Sequence, residues 1–412
     1  MADRMSKGAR DMYLQNENLI WVGSSDKKAV IVPRMANRHG IISGATGTGK
    51  TVTLKVLAES FSEMGVPVFL ADVKGDVTSM LNAGDMEVIK GRLDKLSITD
   101  FECKRFPVRF WDVFGEKGVS LRTTISEMGP DLLSRLMELT DAQSGVMTIA
   151  FKAADDMDLP MYNLADLKAM MNHISEHSDE MRARYGNVSP QSVGAIMREI
   201  LQLEEAGGDI FFGETAIDIN DWFKSDLNGR GVINILESAR LVQSPLLYST
   251  FLLWMLSELY ETLPEAGDLE KPKIVFFFDE AHMLFDDAPK ALIRKVEQVV
   301  RLIRSKGVGV YFITQKPGDV PDNVLAQLGN KIQHALRAYT PNELKAVKAA
   351  AEGFRANPAF NTEETIQQLG TGEALVSFLD EKGAPCVVER AKILFPLSQI
   401  GAITEDQRKQ II

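Results

Sequence analysis

The sequence predicts an α/β fold with a mainly parallel sheet flanked by helices and one mostly helical insertion. Three observations carry this. The stretch His39 to Thr51 runs from a short apolar strand through a glycine-rich turn into a helix. Strand and helix patterns then alternate through most of the chain, the order that builds parallel sheets. From about residue 121 to 207 apolar residues recur only at helical spacing, which marks an insertion.

In chain order, residues 1–38 form a short lead-in with two small strands, Leu19–Gly23 and Ala29–Val32, too short for a domain of its own. Residues 39–120 begin the core. Gly40-Ile41-Ile42 leads into the glycine turn, Val52 to Phe61 follows as a helix, and Pro67 to Ala71 is an apolar strand ending in the acidic turn Asp72 to Asp76. Val108 to Phe114 alternates and reads as another strand. In the insertion, residues 121–207, Ser189-Pro190 is suited to start a helix and Gly207-Gly208 to stop one. The core resumes over 208–400 with a strand at Val232–Leu236, a long helix at 245–262 and the fully apolar strand Ile274–Phe278, as expected when both faces are covered. A helix at Ala288–Lys306, a strand at Val308–Thr314 and a helix from Pro341 to Ala351 follow. A late strand pair, Ala374–Phe378 and Cys386–Arg390, surrounds the Glu381-Lys382-Gly383 turn, and 401–412 is a tail.

Composition narrows the class. Apolar residues at 45% and charged residues at 25% are ordinary for a soluble globular protein. Cys103 and Cys386 provide neither a disulfide framework nor metal-ligand spacing, which fits a reduced, cytoplasmic setting. The first ten residues lack the apolar stretch of a secretory signal. Residues 241–257 are uncharged, but Gln243, Ser244, Pro245, Ser249 and Thr250 interrupt them, so a buried helix is expected and no membrane span. The net charge of −11 weighs against broad non-specific nucleic-acid binding, without excluding a local basic track.

The chemistry centres on Gly44 to Thr51, which fits G-x-x-x-x-G-K-[ST] between a strand and a helix. That is the arrangement of a phosphate-binding loop: glycines let backbone N–H groups turn inward, and the helix N-terminus adds its positive end. Gly44, Ala45, Thr46, Gly47, Thr48, Gly49, Lys50, Thr51 and Val52 are the expected nucleotide contacts, with Lys50 on the β- and γ-phosphates and the Thr51 hydroxyl on Mg²⁺. The strand at 274–278 ends in Asp279-Glu280. Alone, such a pair is what ends many buried strands; downstream of a phosphate loop it has the Walker B arrangement, Asp279 for Mg²⁺ and Glu280 as base for the attacking water. A glutamate directly after that aspartate marks the RecA-like (ASCE) branch of P-loop NTPases. Gln315 ends the next strand at the same carboxyl edge, where its amide would meet the γ-phosphate or the water.

Between those strands Lys290, Arg294, Lys295, Arg301, Arg304 and Lys306 outweigh Glu297. A solvated helix face explains such a run; so does an arginine finger, Arg301 or Arg304, reaching a neighbouring subunit's γ-phosphate. Lys104, Arg105, Arg109 and the loop Lys316-Pro317-Gly318 are weaker candidates for touching a polyanion.

With these motifs in place, the chain resembles the HerA/FtsK superfamily of ATP-driven translocases, and within it the HerA-like helicase-domain proteins of bacteria. The resemblance rests on His39 to Thr51, the Asp72-Val73-Lys74-Gly75-Asp76 turn, Phe278-Asp279-Glu280-Ala281-His282 and Arg301 through Lys316. It implies ATP and Mg²⁺, a homo-oligomeric ring (a hexamer), DNA as the partner, Gln315 as sensor and Arg304 as the preferred finger. The segment before the phosphate loop is shorter than the β-barrel that docks a partner nuclease in archaeal members, so a nuclease partner is not implied. Two alternatives stay open: a related motor acting on protein, as secretion ATPases do, and a slow nucleotide-dependent switch. The letters Asp-Glu-Ala-His at 279–282 do not make a DEAH-box RNA helicase, since the Ser-Ala-Thr and His-Arg-x-Gly-Arg motifs and a second RecA-like half are missing.

Overall fold

A computed structural model describes residues 12–96, 98, 101–286, 288–404, 406 and 407. The residues that carry the signal-peptide reading, and half of the tail, lie outside the described residues.

One sheet runs through the molecule. Its strands are β1 (Tyr13–Leu14), β2 (Leu19–Ser24), β3 (Lys28–Ile31), β4 (Gly40–Ser43), β5 (Val68–Asp72), β6 (Val108–Asp112), β7 (Val119–Ser120), β8 (Ile233–Glu237), β9 (Ile274–Phe278), β10 (Val308–Thr314), β11 (Asn330–Gln333), β12 (Glu373–Ser377) and β13 (Glu389–Ile393). Their order is β1-β2-β13-β12-β11-β4-β10-β9-β5-β8-β6-β7, with β3 paired to β2. From β11 through β7 every pairing is parallel. The remaining edge, from β12 to β1, is antiparallel. The expected parallel core is therefore present and is extended by an antiparallel wing. The lead-in strands belong to that wing, because β2 hydrogen-bonds to β13.

Alternation along the central strands divides the core. Ile274, Phe276 and Phe278 of β9 enter one apolar cluster, and Val275 and Phe277 enter the other. Successive side chains point to opposite faces, so a strand with both faces covered reads as a continuous apolar run. One face is covered by α1 (Lys50–Glu63), whose Leu54, Leu57, Ala58 and Phe61 are fully or almost fully buried. The other face takes a long buried helix (Pro245–Thr262), the basic helix (Lys290–Leu302) and the insertion.

The insertion is helical, as its periodicity predicts: Ile125–Leu136, Asp141–Asp156, Leu164–Glu176, Ser178–Arg184 and Pro190–Glu205. Ser189 caps the last of these by accepting from Ser192 N at 3.1 Å, with Pro190 at the first position. No helix among the described residues is long and apolar enough to cross a membrane.

Two boundaries differ from the sequence reading. The expected helix at 288–306 is an α-helix from Lys290 to Leu302, and Ile303–Lys306 tightens into a 3₁₀ turn. The second member of the late strand pair is Glu389–Ile393, not Cys386–Arg390, with Glu373 opposite Lys392. Pro385 has no N–H for a ladder, and Val388 N donates instead to Arg355 O at 2.9 Å, so pairing is delayed.

Candidate active site

The phosphate loop leaves β4 at the carboxyl edge, and its first residues are fixed by neighbouring strand ends. Gly44 N donates toward the carbonyls of Thr314 (3.3 Å) and Gln315 (3.2 Å), and Ala45 N to that of Ala335 (2.8 Å). A Cβ at Gly44 would lie 2.5 Å from Cβ of His334, at a backbone φ of 151°, so glycine alone lets the end of β11 approach. His334 then ties the loop down. Its Nδ1 lies 2.9 Å from the Glu373 carbonyl, which only accepts, so in the neutral ring Nδ1 carries the proton and Nε2 accepts from the Thr53 hydroxyl at 2.8 Å. Lys50 opens α1; it is buried, and its ammonium donates to the carbonyls of Gly44 (2.6 Å) and Ala45 (3.1 Å).

Two more strand ends supply carboxylates. From β5, the Asp72 carboxylate accepts from Gly75 N (2.7 Å) and Lys74 N (3.2 Å), closing the tight turn that presents Asp76. The Thr51 hydroxyl donates to Asp76 at 3.0 Å. From β9 come Asp279 and Glu280, and Glu280 adopts a left-handed backbone (φ 49°, ψ 50°) that is uncommon outside glycine and frequent at functional corners. Its carboxylate pairs with Lys74, and His282 Nδ1 lies 3.3 Å from its second oxygen. That oxygen is buried and makes no aligned hydrogen bond. Because β10 separates β4 from β9, the phosphate loop and Glu280 face each other across a gap of about two strand spacings, roughly 10 Å.

The charges are strongly coupled. Burial, with repulsion from Asp76 and Asp279, raises the Asp72 carboxyl to about 7 against the Gly75 hydrogen bond. Burial raises Asp279 to about 6, with Glu280 and Asp76 adding and Lys74 opposing. Glu280 goes the other way: burial would raise it, but the hydrogen bond and charge of Lys74, with His282 and Lys50, hold it below the ordinary carboxylate value. Burial and the Lys74 charge lower Lys50, against Glu280 and Asp279. Glu280 thus stays ionised to lower pH than Asp279, so the two adjacent carboxyls are pushed apart in acidity.

Gln315 is exposed and lines a cleft of about 540 Å³ beside Ala45 and His282. Arg301 and Arg304 lie elsewhere. Arg304 precedes β10, at the opposite sheet edge, where its charge acts on buried His39. The seven residues of β10 span about 20 Å, so neither arginine reaches the phosphate loop of its own chain. Of the weaker polyanion candidates, Lys104 pairs with Glu63 (3.0 Å), Arg109 lies over the Trp111 ring (4.6 Å) and Lys316 pairs with Asp319 (3.7 Å). Three residues of the site were given no individual role from sequence: Lys74, Asp76 and His334. The first two lie in the acidic turn, whose Asp-x-Lys-Gly-Asp pattern was the available signal; His334 had none.

The residues fit a nucleotide with Mg²⁺. A Cβ at Gly47 would meet nothing within 4 Å, so the loop is open at that residue. Among the described residues no cluster of three His, Cys, Asp or Glu could hold a metal without help. The Thr51 hydroxyl, Asp76 and Asp279 are hard oxygen donors suited to Mg²⁺ once phosphate oxygens complete the set.

Fold and site together define a P-loop ATPase of the RecA-like kind. The chain matches the helicase HerA-like C-terminal family over residues 17–412 and belongs to that family. It is 22% identical over 377 residues to the DNA double-strand break repair helicase HerA of Sulfurisphaera tokodaii, covering 88% of this chain and 67% of that protein. The same identity holds over 374 residues for the helicase of that name from Saccharolobus solfataricus, covering 89% and 67%. Among solved structures it is similar in fold to VirB4 of Thermoanaerobacter pseudethanolicus (TM-score 0.58, 15% identity, 94% of this chain and 97% of that one). The plasmid coupling protein TrwB in complex with ADP and Mg²⁺ is also similar (TM-score 0.57, 15% identity, 90% of each chain).

Proposed function

We propose that this chain is the ATP-hydrolysing motor of an oligomeric DNA translocase or helicase. The observation that carries the reading is Glu280: an ionised carboxylate with one buried, unbonded oxygen, across the site from Lys50 and Thr51. A nucleotide-dependent switch has no need of such a group. ATP is the substrate, with its phosphates on the loop from Gly44 to Val52 and on Lys50. Bound Mg²⁺, held by Thr51 with Asp279 or Asp76, would neutralise phosphate charge. Glu280 accepts the proton of the attacking water, Gln315 contacts that water or the γ-phosphate, and Lys74 holds Glu280 in its charged form. Arg304, and less favourably Arg301, completes the site of the next subunit in a ring.

DNA as the cargo rests on family membership and on relatives named as DNA repair helicases. The test is the ATPase rate with and without duplex DNA at low salt, where phosphate contacts are strongest. Stimulation by duplex is expected. A rate indifferent to DNA would turn the reading toward a motor that acts on protein, and a rate near zero in either case toward the slow switch.

A further inference from the structure

The basic helix carries a second feature that the ATPase reading leaves unused. Lys290, Ala291, Arg294, Lys295 and Gln298 recur at helical spacing and form one wall of a cleft of about 620 Å³. The opposite wall is the corner of the insertion where helix Ile125–Leu136 gives way to helix Asp141–Asp156, and it contributes Arg135. Leu253 of the long buried helix also lines it. Lys295 is the telling residue. It is only 8% exposed, yet it has no hydrogen-bond or ion-pair acceptor among the described residues, its ammonium lying 5.3 Å from the Tyr260 ring. Arg135, Lys290 and Arg294 likewise make no ion pair among the described residues. Burial, and then repulsion from Arg135, pull Lys295 below the ordinary lysine value against the attraction of Glu261, so it is under-compensated. The helix that begins here has Pro289 before its first turn and no side-chain cap, so its leading N–H groups are not satisfied by one.

Four cations outnumber the two carboxylates that also line the cleft, Glu138 and Asp141, in a chain whose net charge is −11. Like charges brought together around a buried ammonium, at an uncapped helix N-terminus, are an arrangement that an anion would stabilise.

We infer that this cleft, at the joint between the helical insertion and the ATPase core, binds a phosphate-bearing polyanion through Arg135, Lys290, Arg294, Lys295 and the start of the basic helix. Its volume suits a ligand with several phosphates. Two sources share that chemistry, the backbone of a nucleic-acid strand and a free polyphosphate compound. The strand source rests on the DNA reading above; the polyphosphate source does not.

The test uses the full chain and two probes, a fluorescent DNA duplex read by anisotropy and tripolyphosphate read by calorimetry. Tripolyphosphate is measured in the Lys50→Ala background, so that the phosphate loop does not contribute. Arg135→Glu with Arg294→Glu, both exposed positions, is expected to weaken the responsive probe by about ten-fold or more, given two charge reversals. Lys295→Met removes a buried charge at similar volume and is expected to weaken it several-fold while the protein stays folded. If the strand is the ligand, the salt dependence of duplex binding also flattens, by about 0.9 in log–log slope for each phosphate no longer neutralised. Loss confined to duplex identifies the strand, and loss confined to tripolyphosphate identifies the free compound. Unchanged affinity for both probes in all variants, or no binding of either by the parent chain, overturns the inference. Undiminished duplex binding by the variants removes this cleft as the place where DNA is held and leaves the DNA reading intact. Tripolyphosphate binding without duplex binding does the reverse.

Discussion

At the scale of single residues, the site is a problem in keeping one carboxylate readily ionised next to others that are pushed toward their protonated form. Asp72 and Asp279 are raised by burial and by neighbouring carboxylates, Asp76 among them in both cases, whereas Glu280 is held down by Lys74. Removing the Lys74 charge with Lys74→Met takes away the largest opposition to burial at Glu280 and leaves only His282 and Lys50, so its pKa must rise. A base works only when ionised, so the acid limb of kcat against pH should move to higher pH; a limb that stays where it was would separate Lys74 from the base. Glu280→Gln should still bind ATP but lower kcat by about 10²–10⁴-fold, the range for loss of a general base. Lys50→Ala should lose nucleotide binding itself, and fluorescent-nucleotide titration distinguishes the two. Lys50, Thr51, Asp279 and Glu280 could be picked out in advance because each sits inside a short contiguous pattern. Lys74 and His334 could not be assigned their contacts, because those arise from strands distant in sequence: Lys74 meets Glu280 through the pairing of β5 with β9, and His334 meets Thr53 through β11 beside β4.

At the scale of elements, the strands legible in the sequence are those buried on both faces, such as β9 and β10, whose apolar runs admit little else. Strand β11 was not legible. Asn-Lys-Ile-Gln has no apolar run, and it is a strand because β4 and β12 offer ladders on both sides, with the Asn330 amide donating to the Met35 and His39 carbonyls. The hold of the C-terminal segment on α1 was equally hidden. Glu59 is fully buried on that helix and accepts from Leu397 N (2.7 Å) and from the Ser398 backbone and hydroxyl. Burial raises its carboxyl to about 7, against Ser398, Lys55 and those N–H groups. A folded-state pKa above the unfolded one favours the protonated native form, so this stability is present below about 4.5 and is lost as pH climbs through about 7. Glu59→Gln mimics the protonated form. Its Tm should therefore fall by a few degrees less than that of the parent chain between pH 5 and 8. Asp72 and Asp279 titrate in the same window in both proteins, so the difference isolates Glu59, and parallel Tm–pH curves would refute the assignment.

At the scale of the whole molecule, the parallel sheet gives the chain two edges of different make-up. The carboxyl edge carries the phosphate loop, the acidic turn, Glu280 and Gln315. The amino edge carries Arg304, whose charge acts on His39 and Arg38 and, with burial leading, lowers the His39 ring to about 4. The length of β10 keeps these edges about 20 Å apart within one chain. Arg304 could therefore act as a finger only on a neighbour's site, and the catalytic unit would then be a pair of subunits rather than one. That geometry yields a test that does not depend on seeing the ring. Arg304→Ala should keep its affinity for ATP and lose turnover by about 10³-fold or more, the cost of removing a finger. Glu280→Gln fails for a different reason, since its base is missing while its arginine is intact. In a mixture, some interfaces join an intact carboxyl edge from the Arg304→Ala chain to an intact amino edge from the Glu280→Gln chain. Those interfaces should hydrolyse ATP although neither parent does, and the recovered rate should be greatest near equal proportions. The same mixture in gel filtration with ATP should elute as an oligomer. Mixtures that assemble but recover no activity would remove Arg304 from the site, whereas chains that remain monomeric with ATP would remove the ring.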